Sequence, residues 1–292
     1  MVSSDVSTPG QSVSPLVTPS ELADLLMQQR PPVILDVRYP GPGSEADGHA
    51  QYVAGHVPTA VFLPFDGVLS GRCVPGVTGR HPFPEPETFQ AGMRAVGVSA
   101  SRPVVVYDDW KSIAAARAWW MLCWAGHKNV RVLDGGWRAW VGSGAPISEE
   151  DTVVAPGDFT VSPSGRTLID ADGAAQLAQH AILIDARPAD RFRGQGETID
   201  PVAGHIPGAV SLPALDLVNA QGRFLPALEL ITRFVALGVQ DDTEVGIYCG
   251  SGIQACHVAL AAQICGVCDD PAIYMGSWSE WITDPRRPTE RG

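Results

Sequence analysis

The chain has 292 residues, of which 45% are hydrophobic and 18% are charged, and its formal net charge is −12. This composition is typical of a globular protein with room for two domains, and the acidic balance argues against nucleic acid as a partner. The sequence contains no apolar run of about 18 residues, so we expect no membrane-spanning helix.

The first 19 residues are rich in serine, threonine, proline and valine. They lack the basic segment and the apolar core of a secretory signal, and we expect them to form a short disordered lead-in. The six cysteines have irregular spacing, which does not indicate a disulfide framework. We therefore expect a protein of the reducing cytoplasm.

The regular pattern begins with an apolar, β-branched run that ends in Asp36-Val37-Arg38. A Gly-His-Val-Pro turn follows at 55–58, and a second apolar strand is predicted at 104–107. An alanine-rich helix is predicted at 114–124 and a third strand at 130–133, before a glycine-rich turn and tryptophans. Strands that are apolar throughout and alternate with helices indicate a mostly parallel sheet with helices on both faces.

The second half of the chain repeats this order. Residues 182–187 and 203–207 lie 149 positions after their counterparts, whereas residues 245–248 lie 141 positions after theirs. Two constant offsets indicate an old tandem duplication with a small deletion. The predicted fold is therefore α/β, with two tandem domains of one kind. We place the first domain at 17–142, a linker rich in Gly, Pro and Ser at 143–165, and the second domain at 166–290.

The second half carries a candidate nucleophile, Cys249, directly after the predicted strand 245–248. The Gly-Ser-Gly segment that follows allows backbone N–H groups to point at one anion, and the next helix adds a positive partial charge. This setting predicts a thiolate that can attack and can carry a charged adduct. The matching position of the first half is Asp108, so we predict one catalytic domain and one structural domain that closes over it.

The Asp-x-Arg strand ends, the two Gly-His-x-Pro turns and the segment Cys249-Gly-Ser-Gly-Ile-Gln-Ala255 together resemble the tandem rhodanese family. This family includes thiosulfate and 3-mercaptopyruvate sulfurtransferases, and the match extends over nearly the whole chain in the same order. The resemblance implies an enzyme without a cofactor that carries a sulfane sulfur as a persulfide on Cys249. It also implies an acceptor such as cyanide, a thiol or a thioredoxin-like protein, and a site at the domain interface.

The resemblance further assigns roles to single residues. Ser251 matches a serine that relays protons with a histidine and an acid of the first domain, and His56 and Asp47 are the candidates. Glu45 is the second choice for the acid. Arg191 matches the arginine that binds the anionic group of the donor. The other donor-binding residues that the loop implies are Gly250, Gly252, Ile253 and Gln254.

The preferred donor stays open. The Gly-Ser-Gly segment favours 3-mercaptopyruvate. Related enzymes for that donor carry a second arginine shortly before the second-domain histidine, but residues 195–203 contain none, which favours thiosulfate or a broader range. Arg193 is a candidate substitute. Gln254 is a further departure, because a threonine is usual there, and its effect is limited to a helix-cap hydrogen bond.

Other interpretations compete with these assignments. His56 and His205 occupy equivalent positions, which favours a structural role in both halves. Cys265 and Cys268 lack two further zinc ligands, so we expect no metal site, and a redox pair is the alternative. A phosphatase loop would need an arginine where Ala255 stands. Finally, both halves could be non-catalytic binding modules.

Overall fold

The first half of the chain forms a five-stranded sheet in the computed structural model, which describes residues 14–41, 44, 47–163 and 165–292. The strands are β1 (Leu16–Val17), β2 (Val33–Asp36), β3 (Ala60–Phe62), β4 (Val104–Tyr107) and β5 (Val130–Leu133). They stand in the order β1-β5-β4-β2-β3, and all these pairings are parallel.

The second half repeats this sheet. Its strands are β6 (Leu168–Ile169), β7 (Ile182–Asp185), β8 (Val210–Ser211), β9 (Val245–Tyr248) and β10 (Ala272–Tyr274). They stand in the order β6-β10-β9-β7-β8, and again all these pairings are parallel. Equivalent strands occupy equivalent places, which confirms the predicted α/β fold with two tandem domains.

Helices cover both sheets. The first domain contains α1 (Pro19–Leu26), α2 (Gly48–Val53), α3 (Pro86–Ala95), α4 (Ile113–Trp124) and α5 (Gly136–Gly142). The second contains α6 (Ala171–His180), α7 (Ala189–Phe192), α8 (Ala227–Val235), α9 (Gln254–Cys265), α10 (Ser277–Trp281) and a 3-10 turn at Ala214–Leu217. Alternate residues of β4 enter two separate hydrophobic clusters, so side chains cover both faces of the sheet.

One hydrophobic cluster runs through both domains. The alanine-rich helices α4 and α9, one from each domain, lie in it and contact each other. Their small side chains permit close helix packing. Because the chain passes from β9 into α9 through Cys249, this contact places Cys249 at the interface between the domains.

The duplicated Asp-x-Arg motif forms a buried ion pair that supports each strand end. Arg38 donates to the carboxylate of Asp36 at 2.6 Å and to the carbonyl oxygen of Gly55 at 2.7 Å. Arg187 makes the equivalent two bonds in the second domain, both at 2.6 Å. The arginines therefore tie each strand end to the Gly-His-x-Pro turn of the same domain.

The lead-in is shorter than predicted. Residues 16–17 form strand β1 beside β5, and α1 begins at Pro19. The Thr18 hydroxyl accepts from the N–H of Glu21, whose carboxylate accepts from the N–H of Thr18, so a capping box fixes the start of α1. The prediction of disorder is therefore wrong for residues 16–19, and residues 1–13 lie outside the described residues. Within the described ranges, no helix is long and apolar enough to cross a membrane.

Candidate active site

The Cys249 loop, residues 249–254, connects β9 to α9 at the carboxyl end of the second sheet. The Sγ atom of Cys249 accepts a hydrogen bond from the N–H of Gly252 at 3.1 Å. The hydroxyl oxygen of Ser277 accepts from the N–H of Cys249 at 3.1 Å and lies 4.0 Å from Sγ. Cys249 is only 1% exposed, but its sulfur has polar donors beside it, as an anionic sulfur requires.

Gly252 gives this loop its shape. Its φ is +79°, in the left-handed region, and a Cβ atom there would lie 2.4 Å from the carbonyl oxygen of Met275. The N–H of Trp278 also donates to the carbonyl oxygen of Cys249 at 3.0 Å. The segment after β10 therefore packs against the loop and holds it in one conformation.

Arg117 of α4 brings a buried positive charge from the first domain. Its Nη1 donates to the carbonyl oxygen of Ser251 at 3.3 Å, and its Nη2 donates to that of His81 at 3.0 Å. No carboxylate of the described residues forms an ion pair with it. Burial lowers the pKa of Arg117, because the charged guanidinium group loses solvation there. A cation without an acidic partner favours an anionic sulfur nearby.

Ser251 and His81 form a contact between the two domains. The Oγ atom of Ser251 lies 2.8 Å from Nδ1 of His81, and Nε2 of His81 lies 3.2 Å from the hydroxyl of Tyr39. Burial, followed by the positive charges of Arg117 and Arg80, lowers the pKa of His81 to about 4. The ring is therefore neutral near pH 7 and has one donor and one acceptor nitrogen.

The structure does not bring His56 to the Cys249 loop. His56 is fully buried, its Nδ1 lies 2.9 Å from the carbonyl oxygen of Tyr52, and the two rings stack at 4.0 Å. His205 makes the same two contacts with Phe192, at 2.8 Å and 3.8 Å. This shared geometry corrects the assignment of a proton role to His56: both turn histidines pack in the same structural way, and His81 is the histidine beside the loop serine.

Asp47 also has a different place from the one we expected. Its carboxylate accepts from the N–H of His49 at 2.8 Å and caps the start of α2, and the side chain is exposed. The hydroxyl of Tyr39 lies 3.2 Å from Nε2 of His81, on the side of the histidine where we expected a carboxylate. The other candidate acid, Glu45, lies outside the described residues.

Arg191 lies beside the Cys249 loop, but its guanidinium group already has partners. Nε donates to Glu197 at 2.9 Å, and Nη2 donates to one oxygen of Asp200 at 2.7 Å. Arg80 of the first domain donates to the other oxygen of Asp200. A Cβ atom on Gly250 would lie 3.0 Å from Nη2 of Arg80 and 3.6 Å from Nη1 of Arg191. Arg80 therefore supplies a second arginine that the sequence did not reveal.

The first domain holds an anion at the position that corresponds to Cys249. The two carboxylate oxygens of Asp108 accept from the N–H groups of Trp110, Ser112 and Ala115, each at 2.9 Å. Burial raises the pKa of Asp108 to about 6, against the effect of these N–H groups. This corner of the fold thus presents several N–H groups to one anionic group, which is the property predicted for the Cys249 loop.

The other predicted residues of the loop make no hydrogen bond to Sγ of Cys249 in the part of the chain that the structure describes. Ile253 is buried before α9, and Gln254 is the first residue of that helix. Cys265 and Cys268 are half-buried free thiols, and burial raises the pKa of both. Across the described part of the chain, no group of three His, Cys, Asp or Glu side chains could hold a metal ion.

Comparison with known proteins agrees with this architecture. The family model for the rhodanese-like domain matches residues 18–143 and 170–284. The chain therefore belongs to the rhodanese family and contains two copies of its domain.

Similar proteins carry the names of sulfurtransferases. "Probable 3-mercaptopyruvate sulfurtransferase" of Pseudomonas aeruginosa is 43% identical over 286 residues, which cover 96% of this chain and 99% of that protein. "Thiosulfate/3-mercaptopyruvate sulfurtransferase 1, mitochondrial" of Arabidopsis thaliana is 32% identical over 286 residues, which cover 88% of this chain and 73% of that protein. The crystal structure of SseA from Escherichia coli has a TM-score of 0.81 and 32% identity, over 92% of this chain and 100% of that one.

Proposed function

We propose that this chain is a sulfurtransferase in which Cys249 takes a sulfane sulfur from a small anionic donor and passes it to a thiophilic acceptor. The observation that carries the proposal is the hydrogen bond from the N–H of Gly252 to Sγ at 3.1 Å. Arg117 adds a buried positive charge without an acidic partner among the described residues. Both features favour an anionic sulfur, as thiolate before the transfer and as persulfide after it.

The two half-reactions balance without a cofactor. The Cys249 thiolate attacks the outer sulfur of thiosulfate, the S–S bond of the donor breaks, and sulfite leaves with the bonding electrons. With 3-mercaptopyruvate, the C–S bond breaks, and the carbon keeps the electron pair as an enolate. That carbon then takes up the proton that the donor thiol loses, and pyruvate leaves. Cyanide removes the outer sulfur as thiocyanate and restores the thiolate.

Asp108 supports the view that this corner accommodates a persulfide. A persulfide extends two heavy atoms beyond Cβ, namely Sγ and the outer sulfur, as a carboxylate extends through Cγ to an oxygen. In the first domain, three N–H groups hold the carboxylate of Asp108 at the equivalent position. We therefore place the outer sulfur among the N–H groups of residues 251–254.

We propose that Arg191 and Arg80 bind the anionic group of the donor, because both guanidinium groups lie over Gly250. Arg191→Ala is expected to lower kcat/KM for thiosulfate and for 3-mercaptopyruvate by about 1–3 kcal/mol, the usual effect of losing a charged hydrogen bond. Arg193, the candidate substitute named from the sequence, is exposed, and its Nε donates to Gln195 at 3.5 Å. Arg193→Ala is the matched comparison, and we expect it to keep the kcat/KM of the parent chain. An unchanged kcat/KM for both donors in Arg191→Ala would refute the assignment.

Ser251 and His81 are proposed to move the proton that 3-mercaptopyruvate requires. This proton passes from a thiol to a carbon, whereas sulfite leaves from thiosulfate without one. Ser251→Ala and His81→Gln should therefore lower kcat/KM for 3-mercaptopyruvate by about 100-fold or more and change that for thiosulfate by less than about threefold. Steady-state rates with both donors on one preparation measure this ratio. Equal losses with both donors would show that the two residues only position the loop.

The pKa of His81 adds a pH test to this proposal. Because this pKa is lowered to about 4, the ring gains a proton only below about pH 5, and its neutral form prevails above. The rate with 3-mercaptopyruvate should therefore show no inflection from His81 between about pH 5.5 and 8. An inflection near pH 6.5 that disappears in His81→Gln would contradict a neutral ring.

The acceptor and the compartment rest on the family resemblance and on the cysteine usage. We propose cyanide and thiols as acceptors, with a thioredoxin-like protein among the thiols, and the cytoplasm as the compartment. Turnover with cyanide, dithiothreitol and reduced thioredoxin, compared at equal donor concentration, ranks these acceptors. Cell fractionation with an antibody against the chain tests the compartment.

The proposed function is tested by intact-mass spectrometry of the protein before and after incubation with each donor. We expect a gain of one sulfur atom, mapped by proteolysis to the peptide that contains Cys249, and its loss on addition of cyanide. If neither donor adds sulfur, the chain is a rhodanese-type binding module instead of an enzyme.

A further inference from the structure

Two carboxylates lie among the arginines that surround the Cys249 loop, and the sulfur-transfer steps proposed above do not use them. Glu197 and Asp200 lie in the stretch 195–203, and their side chains are only 3% and 2% exposed. The Glu197 carboxylate accepts from the N–H groups of Ile199 and Asp200 at 2.9 and 3.0 Å. The turn 197–200 therefore holds Asp200 in a defined, buried position.

Asp200 connects the two domains across the site. One of its oxygens accepts from Arg191 of the second domain at 2.7 Å, and the other accepts from Arg80 of the first domain. Both guanidinium groups lie over Gly250. A donor anion that approaches Cys249 from this side would therefore meet two arginines that are already paired.

The charges of this cluster are balanced, although its hydrogen-bonding capacity is not used up. It consists of three guanidinium groups and three carboxylates, namely Arg80, Arg187, Arg191, Asp185, Glu197 and Asp200. The buried Nε of Arg80 and the buried Nη1 of Arg187 have no hydrogen-bond partner within the described residues. The cluster can thus donate further hydrogen bonds to an anion, but it has no net charge to attract one.

We infer that Asp200 limits the affinity for the donor, because its carboxylate occupies the place of the donor's anionic group between Arg80 and Arg191. A donor would then have to displace this carboxylate in order to bind. The inference rests on the proposed function, since it deepens the donor-binding role assigned to these arginines. A carboxylate in the same chain has an effective concentration in the millimolar range or above, so it competes well with a free anion.

The pKa of Asp200 is consistent with displacement of its carboxylate by the donor anion. Burial raises the pKa of Asp200, although the charges of Arg80 and Arg191 act in the opposite direction. The ionised carboxylate is therefore poorly solvated between its two partners. Displacement towards solvent would return part of that solvation while the donor anion takes over the two arginines.

The experiment compares the binding of thiosulfate by Cys249→Ser with its binding by the double variant Cys249→Ser/Asp200→Asn. Neither variant can transfer sulfur, so isothermal titration calorimetry reports binding alone. We expect the Kd to be about tenfold lower in the double variant, because the competing charge is gone. In the chain with an intact Cys249, Asp200→Asn should lower KM for thiosulfate by a similar factor and leave kcat within about twofold.

Asp190→Asn is the matched control. Asp190 is an exposed carboxylate that accepts from the N–H of Arg191 at 2.8 Å, and an asparagine keeps that bond while removing the same charge. Combined with Cys249→Ser, this substitution should leave the Kd for thiosulfate within about twofold of that of Cys249→Ser alone. If Asp200→Asn does not fold, as judged by circular dichroism, Asp200→Ser is measured in the same way.

An equal or higher Kd in the Asp200 variants would show that Asp200 only positions the two arginines, and the inference would be wrong. This outcome is distinguishable from a failure of the proposed function. The latter appears as an absence of added sulfur on the unsubstituted chain, whereas the ratio of the two Kd values does not depend on sulfur transfer.

Discussion

Cys249→Ser is expected to abolish sulfur transfer, with a loss of at least about 1,000-fold in kcat for either donor. A serine hydroxyl is not deprotonated near neutral pH and cannot form the S–S bond that stores the transferred atom. The substitution changes little else, because serine fits the same buried space and can still accept the N–H of Gly252. Thiocyanate formation from either donor and cyanide measures the loss.

Two other cysteines serve as references for this result. Cys73 is exposed in a loop of the first domain, and Cys73→Ser should keep the rate of the parent chain. Burial raises the pKa of Cys256 to about 12, so this thiol stays protonated and does not compete for the donor. Retention of substantial activity in Cys249→Ser would place the sulfur carrier elsewhere in the chain.

Gly252→Ala is expected to lower kcat/KM by about 100-fold or more while the overall fold persists. The residue has a φ of +79°, and its new Cβ atom would lie 2.4 Å from the carbonyl oxygen of Met275 and 3.0 Å from Nη1 of Arg117. The loop must shift to relieve these contacts, and the N–H that faces Sγ moves with it. Sulfur loading by intact mass and helix content by circular dichroism separate this local effect from unfolding.

Gly266→Ala is the control for backbone strain. Gly266 also has a positive φ, +72°, at the end of α9, but a Cβ atom there would meet no heavy atom of the described residues within 4 Å beyond its own chain neighbours. Both variants therefore carry a similar conformational cost of about 1 kcal/mol, and only Gly252→Ala disturbs the Cys249 loop. Equal activities of the two variants would mean that the N–H of Gly252 is not needed for catalysis.

The tandem α/β fold could be predicted because duplication leaves a signal that does not depend on any single residue. The paired motifs at constant offsets fix the number of domains, and the apolar strands fix the kind of sheet. Cys249 could be predicted because the strand, the glycines and the helix that surround its sulfur are adjacent to it in the sequence. The lead-in was less predictable, since β1 is only two residues long and forms by pairing with the distant β5.

The residues contributed by the other domain were harder to predict, because only the packing of α4 against α9 brings them to the loop. Arg80, His81 and Arg117 belong to the first domain, and nothing in local spacing links them to Cys249. One signal was available for all three. Like Arg191, they have no counterpart at the equivalent offset in the other half of the chain, where Val258 corresponds to Arg117.

The sequence also shows that residues 195–203 contain no arginine. It does not show that a carboxylate of this stretch pairs with Arg80 and Arg191. Composition shows that the stretch is acidic, whereas the direction of Glu197 and Asp200 depends on the shape of the turn and on the partner from the first domain. His56 was assigned a proton role because its motif stands out in the sequence, not because of any link to Cys249. Its motif is conspicuous in both halves, and that very repetition indicated the structural role that the two histidines share.

The contact of Arg117 with the carbonyl oxygen of Ser251 bears on how the chain can be divided. Each half has its own complete sheet, and a cut in the connecting segment would respect that boundary. The fragment that begins at residue 166 would nevertheless leave Arg80, His81 and Arg117 behind. The ancestral doubling thus produced two complete sheets but a single reaction centre, to which both domains contribute.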